Sequence, residues 1–342
     1  WFPIVGWAER GGSYATGHGN SVPRFHVTWG TGPGVVAPFE RRVREHIASG
    51  LVQLKCRHQV SHILMQNGAV HGVTGEVLAD DPATRGTKTN RDVTADFEYH
   101  AASVIVTSGG IGGNFELVRK AWPRDRLGEP PAHMVAGVPA HVDGRMLAIS
   151  EAAGGHVINH DRMWHYTEGV RNWNPIWPNH GIRILPGPSS MWFDARGNRL
   201  APPCLPGFDT LTTLREILKT GFDYSWFVLT QKVIEKEFAL SGSEQNPDFT
   251  SGKWIEVLKS RLGKGATGPV EAFKKHGKDF VVKDTLEDLI AGMNEITPET
   301  PLDLAYLRTQ IEARDREMDN TFTKDAQITA IHGARNYRGD KL

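Results

Sequence analysis

Apolar positions in the first hundred residues follow two different periods. Phe39, Val43 and Ile47 recur every four residues, which predicts a helix over 39–49 with Pro38 in its first turn and Gly50 as its stop. Short β-like runs follow at 51–56 and 60–66. The second ends in Asn67-Gly68, a dipeptide suited to the positive-φ sites of a tight hairpin, so residues 69–77 are expected to return antiparallel. A polar loop over 80–91 then separates this hairpin from an alternating strand over 93–100.

After residue 100 the pattern changes. Val104-Ile-Val106 is a continuous apolar run, as expected of a strand covered on both faces. A glycine cluster follows it, and helical spacing resumes over 115–121. Another helix is expected over 143–153, with Met146, Ile149, Ala152 and Ala153 on one face before Gly154-Gly155. From about residue 160 the chain becomes rich in Trp, Pro and Asn, with Trp164, Trp173, Trp177 and Trp192. Helices are then expected over 210–219, 228–240, 253–262, 285–293 and 302–318. The pattern predicts an α/β (α+β) protein with a mixed part over 1–160 and a largely helical part from 161 onward. No internal repeat or low-complexity linker separates the two.

Composition narrows the function. A chain of 342 residues is long enough for about two domains with cores of their own. Its 39 Lys and Arg balance 39 Asp and Glu, which leaves no net field to attract nucleic acid or an anionic membrane. No apolar stretch approaches the length of a membrane span. Cys56 and Cys204 are far apart and form neither a metal-ligand spacing nor a disulfide framework, so a reducing cytoplasm is expected. A small-molecule substrate is the expected partner, and the sequence leaves the oligomeric state open. His156, His160 and His165 lack a companion carboxylate or cysteine pattern, which ranks packing above metal binding.

The chemistry is concentrated in Thr107-Ser-Gly-Gly-Ile-Gly-Gly-Asn114, where residues without side chains let backbone approach a ligand ahead of a helix start. It is not a dinucleotide fingerprint, because position 115 holds Phe115 where a third glycine would be needed. Taken alone it reads as a tight turn or as a cofactor contact. The order of parts adds to this: a hairpin, the glycine turn, then His141-Val-Asp-Gly-Arg145 opening a helix that ends in Gly154-Gly155.

Over 101–114 and 142–155 this succession resembles the flavoprotein family of fumarate reductase, succinate dehydrogenase and ketosteroid dehydrogenase. Residues 22–32, 161–168 and 238–247 resemble its bacterial branch of FAD-binding dehydrogenases. The resemblance covers essentially the whole chain. It implies a partial FAD-binding domain over 1–160, a capping (substrate) domain over 161–334 and a return segment over 335–342. It further implies that Thr107, Ser108 and Gly109 approach FAD through main chain, that Val60 lies near the adenine, and that Asp143 is a polar flavin contact. Asp143 also reads as a helix cap for Arg145 or Met146, and Val142 replaces the glycine that the family places before it.

On the substrate side the resemblance implies that His165 touches substrate and that Tyr337 and Arg338 face the active site, although a lone histidine and a solvated return loop are the plainer readings. Arg199 matches a family arginine, whereas the proton-donating arginine's position holds Pro203, which disfavours fumarate reduction. The family also begins with a strand, Gly-x-Gly-x-x-Gly and a helix, and ends with a further FAD-binding stretch. Neither is present here, and Trp1 opens the chain, so a fragment is expected. The implied activity is hydride transfer between flavin and a C–C bond next to a carbonyl, with a Trp-rich pocket suited to a steroid-like substrate. A non-catalytic binding module that does not retain FAD is the alternative.

Overall fold

The structure is a computed structural model that describes residues 2–3, 26–83 and 89–335. Strands β1 (Phe2–Pro3) and β2 (His26–Val27) pair antiparallel ahead of helix α1 (Thr31–Ala48). This helix starts before the apolar stripe, so Pro38 sits inside it and not in its first turn. Its start is fixed from outside. The Gly30 N–H donates to the Phe249 carbonyl at 3.0 Å, and the Thr31 and Thr250 hydroxyls are 2.7 Å apart. Gly50, with φ +78°, follows the helix as expected, yet α1 buries none of its residues.

Residues 51–56 are not a strand. Leu51 and Leu54 are exposed, and no sheet among the described residues includes them, so the run has no ladder to join. The three strands that follow are β3 (His58–Gln66), β4 (Ala69–Leu78) and β5 (Val93–His100), an antiparallel sheet in that order. Asn67 (φ +51°) and Gly68 (φ +78°) make the expected tight turn. A register shift between Val60 and His62 marks a β-bulge, which locally disrupts the ladder beside Val60.

The run Val104–Val106 also fails to form a strand. Ile105 is 87% exposed, and among the described residues none supplies the partner strand or the two covering faces that such a run requires. Helices α2 (Phe115–Lys120), α3 (Arg124–Leu127) and α4 (Arg145–Ala152) complete this part. Val118, Trp122 and Leu127 form its buried cluster, which packs against Met163, Leu214 and Leu218 from farther along the chain.

The remaining chain is not helical throughout. It runs β6 (Gly169–Arg171), β7 (Gly181–Leu185), β8 (Met191–Asp194), α5 (Thr210–Lys219), β9 (Ser225–Val228), α6 (Gln231–Lys236) and β10 (Ala239–Leu240). Helices α7 (Pro247–Ser251), α8 (Trp254–Leu262), α9 (Gly268–His276), α10 (Leu286–Ile296), α11 (Leu304–Arg316) and α12 (Ala326–Arg335) follow. Two small antiparallel sheets result, β10-β7-β6 and β8-β9. The helix expected over 228–240 is broken for that reason. Residues 225–228 pair with β8, Thr230 caps α6 by accepting the Val233 N–H, and residues 239–240 pair with β7. The core lies here, with Ile182, Ile184, Val270 and Phe273 in one cluster and Ile290, Met293, Leu302 and Leu307 in another.

Candidate functional site

The glycine turn is held by the segment after it. The Gly113 N–H donates to the Val142 carbonyl at 2.8 Å, and Asn114 caps α2 by accepting the Leu117 N–H at 3.2 Å. The glycines divide by what a Cβ would meet. At Gly112 it would lie 2.9 Å from Val138 Cγ2 and at Gly113 2.6 Å from the Pro139 carbonyl oxygen, so these two are required by packing. At Gly110 it would meet nothing, and Gly109 adopts φ +84° beside Val142. Gly110 therefore presents bare backbone to open space, and Gly109 beside it is favoured as glycine by its positive φ and by the nearby Val142 side chain.

That space is a cleft of about 490 Å³, within the usual range of small-molecule sites. Val60, Thr107, Ser108, Gly109 and Asp143 all line it, together with Arg57 and Arg145. Asp143 makes the expected cap: its Oδ1 accepts the Arg145 N–H at 3.0 Å, while Oδ2 accepts Arg145 Nη2 at 3.0 Å. The carboxylate thus reaches the cleft already paired. Arg57 is engaged as well, donating to the carbonyls of Ala79 and Asn90.

His165 lies elsewhere, on a larger cavity of about 2760 Å³. Gly110 and Gly144 line both spaces and so form a shared wall. The His165 ring meets Trp122 edge-on, with centroids 4.8 Å apart. Burial pushes the imidazole pKa below its ordinary value, which favours the neutral ring. His165 Nε2, Tyr224 OH and Trp226 Nε1 are buried without a hydrogen-bond partner among the described residues, and all three residues line this cavity. Buried polar groups are ordinarily satisfied, so three around one cavity suit a polar ligand. Tyr337 and Arg338 lie outside the described residues. Among those described, no group of three or more His, Cys, Asp or Glu could hold a metal ion, and no helix is long and apolar enough to cross a membrane.

Two features escape sequence reading. Arg199 has a structural place: its guanidinium pairs with Asp325 at 2.5 Å and donates to Gln327 at 2.7 Å. Glu168 and Arg183 form a buried ion pair at 3.7 Å, with side chains 1% and 9% exposed. Burial pushes the Glu168 carboxyl up, against the pull of Arg183. The available signal was a charge alternating with isoleucines in Ile182-Arg183-Ile184.

A family model described as an FAD binding domain matches residues 3–339. The chain belongs to this FAD-binding domain family. It is 58% identical over 341 residues to a KsdD-like steroid dehydrogenase of Mycolicibacterium smegmatis, covering 100% of this chain and 61% of that relative. KsdD-like steroid dehydrogenases of two Mycobacterium tuberculosis strains are each 56% identical over 341 residues, with 100% of this chain and 60% of the relative covered. The chain therefore spans about three fifths of the length of these relatives. FAD is the cofactor of the FAD-binding domain family, and the bare backbone at Gly110 is compatible with a flat or phosphate-bearing group lying close against it.

Proposed function

We propose that these residues belong to an FAD-dependent dehydrogenase acting on a C–C bond adjacent to a carbonyl in a flat, apolar, steroid-like substrate. One observation carries the reading: five residues singled out for cofactor binding line one cleft, and Gly110 and Gly144 join it to a larger, aromatic-walled cavity. The relatives' being named steroid dehydrogenases supports the substrate class. Thr107, Ser108 and Gly109 would hold FAD through main chain, Val60 would lie against the adenine beside its bulge, and Asp143 would face the flavin. Bound FAD would supply the hydride acceptor. His165, whose burial favours the neutral ring, would offer a hydrogen bond to substrate, and Tyr337 and Arg338 are assigned to the same site. In this reading residues 1–160 are a partial FAD-binding domain, 161–334 a capping domain and 335–342 the return segment. The exposed run at Val104–Val106 and the uncovered stripe of α1 support a further part of the reading, that additional polypeptide completes the cofactor site.

The test uses protein expressed over its complete open reading frame. It is expected to purify yellow, and a ketosteroid added without oxygen is expected to bleach the flavin band while short dicarboxylates leave it unchanged. A preparation that stays colourless with added FAD would overturn the cofactor assignment and favour a binding module. Bleaching by dicarboxylates alone would overturn the substrate class.

A further inference from the structure

The indole N–H sets Trp226 apart from Trp122, Trp177 and Trp192. Trp122 donates to the Gly128 carbonyl and Trp177 to that of Ala136, each at 3.0 Å, and Trp192 donates to Ser225 Oγ at 2.9 Å. Trp226 Nε1 is buried and has no hydrogen-bond partner among the described residues. Strand β9 holds it in place. The alternation along β9 packs Phe227 against the cluster of Ile182, Ile184 and Phe273, and packs Trp226 and Val228 against the cluster of Ile290, Met293 and Leu307. Tyr224, two residues earlier, meets the Trp226 ring edge-on with centroids 5.9 Å apart, and meets Phe222 in the same way at 5.8 Å. Its hydroxyl is likewise buried without a partner among the described residues, and Tyr224 and Trp226 both line the larger cavity.

A buried donor left bare costs free energy, and a molecule that completes it recovers that cost on binding. An indole N–H only donates, whereas a phenol donates or accepts. Whatever completes Trp226 is therefore an acceptor, and Tyr224 is free to donate to the same molecule. We propose that Trp226 and Tyr224 form a hydrogen-bonding subsite of the larger cavity that selects molecules carrying a ketone or hydroxyl oxygen on a flat apolar frame. The inference rests on reading this cavity as the substrate site and names the donors that hold the substrate's oxygen. It makes both of them binding residues and gives neither a part in moving a proton or a hydride. A resident water is the competing occupant, and it differs in what the variants do.

The experiment uses FAD-loaded protein expressed over its complete open reading frame. Calorimetric titration compares 2-acetylnaphthalene with 2-isopropenylnaphthalene, two molecules of one shape in which a methylene replaces the carbonyl oxygen, and adds a ketosteroid. Trp226→Phe is expected to lower the ratio of ketone to alkene affinity by about tenfold, and Tyr224→Phe by about threefold or more, the scale of one hydrogen bond to a buried donor. A merely structural role, or a resident water, would leave that ratio where it was. An unchanged ratio in either folded variant overturns the proposal. Substrate-free Tyr224→Phe is expected to unfold at a denaturant midpoint no lower than wild type, because it deletes a hydroxyl that nothing in the free protein satisfies. A lower midpoint overturns the proposal, since the hydroxyl would then have a partner already present. Trp226→Phe also removes ring volume from its cluster, so where circular dichroism shows that it does not fold, the two Tyr224→Phe readings carry the test. Failure of wild type to bind the ketone overturns the proposal as well. Naphthalene probes that behave as expected, with no binding of the ketosteroid, support it and sink the steroid reading alone.

Discussion

Residues 26–160 and 161–335 bury their apolar side chains to very different degrees. On α1, Phe39 is 70% exposed, whereas on α9 Phe273 is fully buried and on α10 Met293 is 2% exposed. Both parts carry periodic apolar stripes, so periodicity alone does not separate them. In the first part the elements are held by backbone ladders, a few hydrogen bonds to α7 and one buried cluster at Val118, Trp122 and Leu127. In the second they are held by side-chain packing from three clusters. An amphipathic pattern thus specifies an element and the face that needs cover, but not what covers it.

The contrast can be broken most forcefully in the packed part. Phe273→Ala is expected to cost about 3–5 kcal/mol in denaturant unfolding, the range for deleting a buried aromatic ring. A cost near zero would mean that the cluster is not the core. Arg199→Ala should cost about 2–4 kcal/mol, because it leaves the partly buried Asp325 without its charge partner. Burial raises the Asp325 pKa, but Arg199 and the Ile328 N–H outweigh it and hold the carboxyl below the ordinary 3.8. A depressed folded pKa gives stability that is present above the unfolded value and lost as pH falls through the folded one. Unfolding measured from pH 5 downward should therefore show a shallower acid limb in Arg199→Ala than in wild type.

Smaller changes sharpen the comparison in the thinly packed part. Gly144 adopts φ +78°, and a Cβ there would lie 2.7 Å from Ile111 Cγ2, so Gly144→Ala should cost about 1–2 kcal/mol and weaken FAD binding in fluorescence titration. Unchanged FAD affinity would detach this residue from the cofactor site. The smallest effect is expected for Phe39→Ala, within about 0.5 kcal/mol for an uncovered side chain. A loss of several kcal/mol in protein from the complete reading frame would instead show that the α1 stripe is buried there.

Much of this was legible before the structure. The Asn67-Gly68 hairpin and helices α5, α10 and α11 are local, set by a turn dipeptide and a 3.6-residue period. The five residues of the cleft were legible through a resemblance spread over the chain and not through their own chemistry. What escaped depends on distant partners. Strands of two to five residues such as β6, β7 and β10 show too little period to be recognised, and they exist because residues far apart pair. The same distance hid Glu168–Arg183 and Arg199–Asp325, and it explains the apolar run at 104–106, whose pattern anticipates partners that the described residues do not supply.

One feature of the site reaches beyond either of its compartments. Gly110 and Gly144 are lining for the cleft and for the cavity at once, so the two spaces share a boundary to which these residues bring no side chain. A molecule that presses this partition from one side changes the shape available on the other. Thermodynamic reciprocity then requires that whatever cofactor occupancy does to substrate affinity, substrate occupancy does equally to cofactor affinity. The order in which the two bind, and the tightness with which a loaded site keeps its cofactor during turnover, would be written into two residues that have no side chains.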